Sequence, residues 1–284
     1  MTISEIKKLL IEYDIHLTKQ LGQNFLHDAN QLKKILSLAQ IQPQDKVIEI
    51  GPGLGPLTEL LLPTAKKILA IEKDEKLVEI LKKRFATANN LEIVNADALI
   101  YLKTSGQDWS DWIVVSNLPY SVASPILVEF SKNKTPPKKI VVTVQLEVAQ
   151  RLMAHHSTEE YGALTLLLQI QYKPVDYFKI PSSCFFPEPK VDSACVKFIQ
   201  RETKLLNDTQ RELFYKIVNR AFSQRRKMMF KLLKQDFNEE KLHSAFNTLG
   251  IPQTARGESV SLEQYVELAK TLWNRGDKQQ TSEN

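Results

Sequence analysis

Between residues 46 and 154, five short β-branched runs alternate with stretches of helical periodicity. The runs are Lys46–Ile50 (KVIEI), Lys67–Glu72 (KILAIE), Leu91–Val94 (LEIV), Trp112–Ser116 (WIVVS) and Lys139–Gln145 (KIVVTVQ). Each is mostly apolar with no polar alternation, the pattern of parallel strands buried on both faces. The segments between them carry apolar residues at helical spacing. In residues 74–86, for example, Leu77, Ile80 and Leu81 fall on one face. Strand–helix alternation of this kind predicts a doubly wound α/β sheet.

Two more strand-like runs follow, Leu164–Ile170 and Ala194–Ile199, separated by a loop containing Pro174, Pro181, Pro187 and Pro189. With no helix evident between them, they are expected to pair antiparallel at the sheet edge. From about residue 203 only helical periodicity remains. The predicted organisation is an α/β domain over 1–202, a small all-helical domain over 203–275, and a polar, disordered tail over 276–284. A chain of 284 residues can bury a core that needs neither disulfides nor metal.

The first strand runs into Gly51-Pro52-Gly53-Leu54-Gly55-Pro56. A glycine turn at the carboxyl end of a first strand lets a ligand approach the backbone, although a tight turn with no ligand is the competing reading. A dinucleotide site would show GxGxxG. Here the third glycine comes one position early and Pro56 takes its place, still able to start a helix. The loop lacks a full pyrophosphate fingerprint, so it suits a nucleoside cofactor without phosphates, such as S-adenosylmethionine, better than a nicotinamide dinucleotide. Glu72 ends the second strand 21 residues after Gly51, where a carboxylate can accept hydrogen bonds from both ribose hydroxyls. Asp97, after the third strand, could bind the adenine amine or simply cap a helix.

The fourth strand ends in Asn117-Leu118-Pro119-Tyr120. An adenine amine is a poor nucleophile because its lone pair is delocalised into the ring. A side-chain amide oxygen (Asn117) and a backbone carbonyl (Leu118) could accept its two hydrogens and draw that lone pair toward an electrophilic methyl. Pro119 stiffens the turn, and the Tyr120 ring offers a surface for a splayed-out base. Taken alone, the motif could also be an Asn-x-Pro turn with a core tyrosine.

Four separated motifs, GQNFL at 22–26, EIGPGLG at 49–55, NLPY at 117–120 and FFPEPKVDS at 185–193, stand in this order. QLEVAQRL at 145–152, YGALTLLLQ at 161–169 and AFSQRRK at 221–227 add to them. Together they resemble the bacterial small-subunit ribosomal RNA adenine N6,N6-dimethyltransferases over nearly the whole chain. The resemblance implies a Rossmann-like methyltransferase sheet with a helical, RNA-binding C-terminal domain. It implies a cofactor contact set of Asn24, Leu26, Gly51, Gly53, Glu72, Asp97 and Asn117, and a place for Phe185 opposite Tyr120 across the target base. On composition alone Phe185 is a core aromatic. The implied reaction carries four methyl groups to two adjacent adenosines near the 3′ end of 16S rRNA, with a role in small-subunit biogenesis. The implied partner is a 30S subunit precursor, met by a monomer that needs no metal. Arg256-Gly257-Glu258 departs from the family's Arg-Pro-Glu, which touches only the shape of one turn.

Residues 220–234 (RAFSQRRKMMFKLLK) contain no acid. Arg220, Lys227, Lys231 and Lys234 share one face of a helix drawn through the segment. Arg225 and Arg226 fall on its apolar side, so either the helix breaks near Ser223 or both point into a cleft. Arg220, Arg225, Arg226 and Lys227 are the phosphate-binding candidates, and a merely solvated basic face is the alternative. The net charge of +5 agrees with an acidic partner and equally with an unspecialised basic surface. His155 and His156 read as surface residues and Trp109 and Trp112 as packing. Cys184 and Cys195 form no metal-type pair and suit a reducing compartment. The amphipathic N-terminus lacks a signal-peptide core, and no apolar stretch nears the ~18 residues of a membrane span, so a cytoplasmic location is expected. Two other readings stay open: a large-subunit adenine methyltransferase of the macrolide-resistance type, and a non-catalytic RNA-binding assembly factor on the same fold.

Overall fold

The computed structural model describes residues 1–15, 24–224 and 226–273. In chain order the strands are β1 (Phe25–Leu26), β2 (Lys46–Ile50), β3 (Lys67–Glu72), β4 (Leu91–Asn95), β5 (Trp112–Asn117), β6 (Lys139–Gln145), β7 (Tyr172–Ile180), β8 (Phe185–Phe186) and β9 (Ser193–Gln200). Seven of them form one sheet in the order β4-β3-β2-β5-β6-β9-β7, and β1 pairs with β8 alone. The pairs from β4 through β6 are parallel, whereas β9 runs antiparallel to both β6 and β7. The chain builds outward from β2 to β4, then returns to place β5 on the other flank of β2. The strand order therefore reverses between β2 and β5, and open α/β sheets bind ligands at the carboxyl edge beside such a reversal.

Burial follows from position. Val47, Ile48, Ile113, Val114, Ile140 and Val141 are fully buried on the central strands, whereas β4 at the edge has no buried residue. Capping matches the sequence signals. Asp74 caps the helix Glu75–Arg84, and Pro56 takes the first position of Pro56–Leu61. At the far edge the structure departs from expectation. Leu164–Ile170 is not a strand: Ala163–Gln169 is helical, and Thr165 through Gln169 are all buried. A short continuous apolar run has no periodicity to separate a buried helix from a buried strand. The strand beside β9 is instead β7, inside the stretch expected to be loop. Pro174 fits there because β7 pairs on one side only, with a register shift between Pro174 and Asp176.

The chain forms two compact units: Met1–Ala149 with Tyr172–Gln200, and Gln150–Gln171 with the chain from Arg201 onward. Residues 150–171, expected in the α/β part, belong to the second unit. Hydrogen bonds tie them there: Tyr161 Oη donates to the Val260 carbonyl, Arg201 Nε to the Gln169 carbonyl and Arg211 to Gln171 Oε1. The longer helices of that unit are Asp208–Ala221, Glu239–Thr248 and Leu262–Leu272, packed around Phe214, Phe246 and Tyr265. The basic stretch 220–234 is not one helix. It breaks after Ala221 and resumes as Met229–Leu233, the first of the two arrangements open from the sequence. Arg225 and the 276–284 tail lie outside the described residues.

The burial contrast has a measurable consequence. Ile48→Ala, at a fully buried central position, should cost about 2–5 kcal/mol of stability. Val175→Ala, half-exposed on the edge strand, should change it by about 0.5 kcal/mol or less. Urea denaturation of the two variants checks this, and similar midpoint shifts would contradict it.

Candidate active site

At the carboxyl edge of β2, Gly51 and Gly53 adopt left-handed φ values of 64° and 61°. Each is also short of room. A Cβ on Gly51 would sit 2.9 Å from Pro119 Cγ, and one on Gly53 would sit 2.8 Å from Phe25 Cε1. The glycines thus allow Pro119 and Phe25 to pack directly on the loop backbone. Beside it lies a cavity of about 370 Å³, within the range of small-molecule sites.

Glu72 closes one side of the cavity and is 7% exposed. Its Oε2 accepts the Gly53 N–H (3.1 Å), and Oε1 accepts those of Lys73 (2.9 Å) and Asp74 (3.0 Å). Burial pushes its pKa up, against the pull of these three donors. The bonds fix the carboxylate's aim and leave acceptor capacity on it, since an ionised carboxylate has about four acceptor sites. Asp97 both caps a helix and lines the cavity. Oδ1 accepts the Leu99 and Ile100 N–H groups, while Oδ2 pairs with Lys73 Nζ at 3.0 Å. The Lys73 ammonium holds the Asp97 pKa down.

Asn117 ends β5. Its Nδ2 donates to the Asn24 carbonyl at 3.2 Å, whereas its Oδ1 is buried with no hydrogen-bond partner among the described residues. The next residue is anchored to the sheet, with the Leu118 N–H donating to the Thr143 carbonyl at 3.1 Å. Pro119 rests on Gly51, and the half-buried Tyr120 lines the cavity with its hydroxyl 2.5 Å from Ser193 Oγ. Burial raises the Tyr120 pKa.

The structure thus brings Asn24, Leu26, Gly51, Gly53, Glu72, Asp97, Asn117, Leu118, Pro119 and Tyr120 to one cavity. Phe185 is elsewhere: it pairs with Leu26 through β8 and is 2% exposed in the core with Leu32, Ile35 and Ile180. Of the phosphate-binding candidates, Arg226 and Lys227 are exposed, but Arg220 is bound to the Asp236 carboxylate through two of its nitrogens. Among the described residues no group of three His, Cys, Asp or Glu is placed to hold a metal.

Sequence reasoning left three site residues unassigned. Glu49 is an acid set between the apolar Ile48 and Ile50 of its strand, a signal visible in KVIEI. It is 2% exposed, and Thr58 Oγ1 donates to it at 2.7 Å. Among the described residues, Lys73 is the one basic residue on the cavity wall, against Glu49, Glu72, Asp74 and Asp97. Ser193, fully buried, gave no local signal of its contact with Tyr120. The wall as a whole favours a cationic ligand that carries a nucleoside. The acids, the unpartnered Asn117 Oδ1 and the backbone opened by Gly51 and Gly53 all fit S-adenosylmethionine, whose sulfonium is positive.

Residues 15–274 match the family model described as Ribosomal RNA adenine dimethylase. The chain is 35% identical to Ribosomal RNA small subunit methyltransferase A of Natranaerobius thermophilus, over 95% of this chain and 96% of that protein. Among solved structures it resembles a dimethyladenosine transferase from Plasmodium falciparum, with a TM-score of 0.73 and 26% identity over 86% of this chain and 95% of the other. It also resembles the 23S rRNA methyltransferase ErmE, with a TM-score of 0.68 and 26% identity over 88% and 99% of the two chains.

Burial, reinforced by the Glu72 charge and opposed by Thr58, pushes the Glu49 pKa from 4.5 to about 8. Between those values the folded chain holds a proton that the unfolded chain has released. Stability should therefore fall as pH rises through the interval, and Glu49→Gln should flatten that fall. Denaturation midpoints measured across the interval check this. Equal slopes for both proteins would mean that Glu49 is ionised in the fold.

Proposed function

Since the chain belongs to the ribosomal RNA adenine dimethylase family, we propose that it is an S-adenosylmethionine-dependent methyltransferase acting on adenosine N6 amines of small-subunit rRNA. Its targets in this reading are two adjacent adenosines near the 3′ end of 16S rRNA, each converted to N6,N6-dimethyladenosine on a 30S precursor. Support for the small subunit comes from the 35% identity, over nearly the full chain, to a protein named for that activity. The likeness to ErmE, a 23S rRNA methyltransferase, supports the fold and methyl transfer to rRNA, at a lower identity. In this reading the chain acts as a monomer.

The observation that carries the reading is the buried Asn117 Oδ1, which has no hydrogen-bond partner among the described residues. An unmet buried acceptor costs about 1–3 kcal/mol, which a substrate N–H would recover. Because Nδ2 is tied to Asn24, the oxygen is the atom offered to a ligand. When bound, S-adenosylmethionine supplies an electrophilic methyl on a sulfonium. Glu72 would hold the ribose of that cofactor and Asp97 its adenine amine, with Asn24, Leu26, Gly51 and Gly53 along its length. On the substrate side, Asn117 Oδ1 and the Leu118 carbonyl would accept hydrogen bonds from the target amine's two N–H groups. That frees the nitrogen lone pair and aims it. The Tyr120 ring would stack on the splayed-out base. Arg226 and Lys227, together with Arg225, would hold RNA phosphates. Arg220 is already neutralised by Asp236 and contributes less.

Labelled S-adenosylmethionine with unmethylated 30S and 50S subunits, followed by mapping of the modified bases, tests the reading. Label confined to large-subunit RNA, or no transfer at all, would overturn it. Asn117→Ala should remove nearly all transfer while RNA binding persists, and near-normal dimethylation by this variant would sink the acceptor mechanism. Changing Arg226 and Lys227 to Ala should weaken RNA binding and lower its salt slope by about one unit per lost phosphate contact. Parallel salt plots for wild type and variant would show that neither side chain meets the backbone.

A further inference from the structure

Tyr120 belongs to a turn, not to the sheet. The chain leaves β5 at Asn117, and the next helix, Ala123–Lys132, begins three residues after the ring. A ring that must stack on a transient base needs a fixed plane, and turns do not supply one by themselves. Ser193, in contrast, is among the best-held positions of the fold. It is the first residue of β9, pairs with Gln145 of β6 on one side and Ile180 of β7 on the other, and is fully buried. The preceding residue is also held: the Leu146 N–H donates to the Asp192 carbonyl, and the Asp192 side chain accepts the Ser182 N–H and pairs with Lys179. The hydroxyls of Tyr120 and Ser193, 73 positions apart in sequence, share a 2.5 Å hydrogen bond.

We infer that Ser193 is a positioning residue for methyl transfer, which fixes the Tyr120 ring by bonding its hydroxyl to the sheet. This rests on the reading that Tyr120 stacks on the target adenine. Partial burial raises the Tyr120 pKa, so the hydroxyl keeps its proton and the capacity to donate. At its other end the same turn is held by Pro119 packed on Gly51. With both restraints in place, the ring can neither swing out from the cavity nor rotate across it. Without the Ser193 bond, the turn keeps the Pro119 contact and the Leu118 N–H bond to Thr143, but the ring loses the hydrogen bond at its tip. The ring would then sample orientations in which the base is bound less squarely to the acceptors at Asn117 and Leu118.

The two hydroxyls act through one bond, so removing either should have the same effect. Ser193→Ala and Tyr120→Phe should each lower kcat by about tenfold, on the scale of the loss that a small misplacement causes, with cofactor affinity unchanged. The double variant should be no slower than either single one. A purely structural role for Ser193 would lower thermal stability and leave the cycle additive. Multiplying effects, or a wild-type kcat in either single variant, would overturn the inference. Tyr120→Phe leaves Ser193 and its strand intact, so it tests the bond even where Ser193→Ala fails to fold. A second measurement is independent of substrate. The 13C-labelled Tyr120 ring should give a restrained NMR signal in wild type and a motionally averaged one once either hydroxyl is removed. An averaged wild-type signal would overturn the latch. A wild type that transfers no methyl to 30S subunits yet shows the restrained ring would overturn the assigned reaction and not the latch.

Discussion

The site depends on contact between side chains and bare backbone at the end of β2. Pro119 fills the space where a Gly51 side chain would be, and Phe25 fills the space at Gly53. Three segments far apart in sequence are therefore locked together: the start of β1, the glycine loop and the turn after β5. The placement of Asn24, Glu72 and Asn117 around one cavity follows from that lock. The Gly53 N–H, fixed by it, donates to Glu72, and the Asn24 carbonyl receives Asn117 Nδ2. The glycines are usually thought of as making room for a ligand. Here they first make room for the protein's own proline and phenylalanine.

The cavity gathers carboxylates, and two of them, Glu49 and Glu72, are buried. Glu49 lies beneath the loop, Glu72 beside it and Asp97 at the next strand end, with Lys73 in opposition. Each carboxylate is managed differently: Glu72 by three backbone donors, Asp97 by a helix start and an ammonium, and Glu49 by one hydroxyl and a raised pKa. The arrangement costs stability, as functional sites commonly do. A positively charged ligand would offset part of that cost.

The central sheet was legible because parallel strands buried on both faces must be apolar runs, and β2, β3 and β6 fall where those runs predict. The glycine loop, Glu72 and the Asn117 turn were legible because they sit at strand ends. Legibility failed where sequence carries no period or no neighbour. The run 164–170 is apolar throughout and is helical, and Pro174 disguised an edge strand as a loop. Arg220 looked available for phosphate until Asp236 met it, and Phe185 stands in the core rather than on the cavity wall. The Tyr120–Ser193 bond joins two motifs that no local pattern connects. Asp97 showed that two sequence readings need not exclude each other, since one oxygen caps a helix while the residue still faces the cavity.

The fixed amide of Asn117 also bears on when the reaction stops. An unmodified adenine brings two amine hydrogens to the turn, a singly methylated one brings a single hydrogen, and a doubly methylated one brings none. If Asn117 Oδ1 and the Leu118 carbonyl take those hydrogens as proposed, the grip on the base weakens by one bond with each methyl added. The finished product returns Oδ1 to its unpartnered state, at an expense of about 1–3 kcal/mol. Because Nδ2 is tied to Asn24, the amide cannot turn over to greet the product with a different atom. The same side chain would then serve as a counter that reads zero at two methyls, releasing the base without any separate signal of completion.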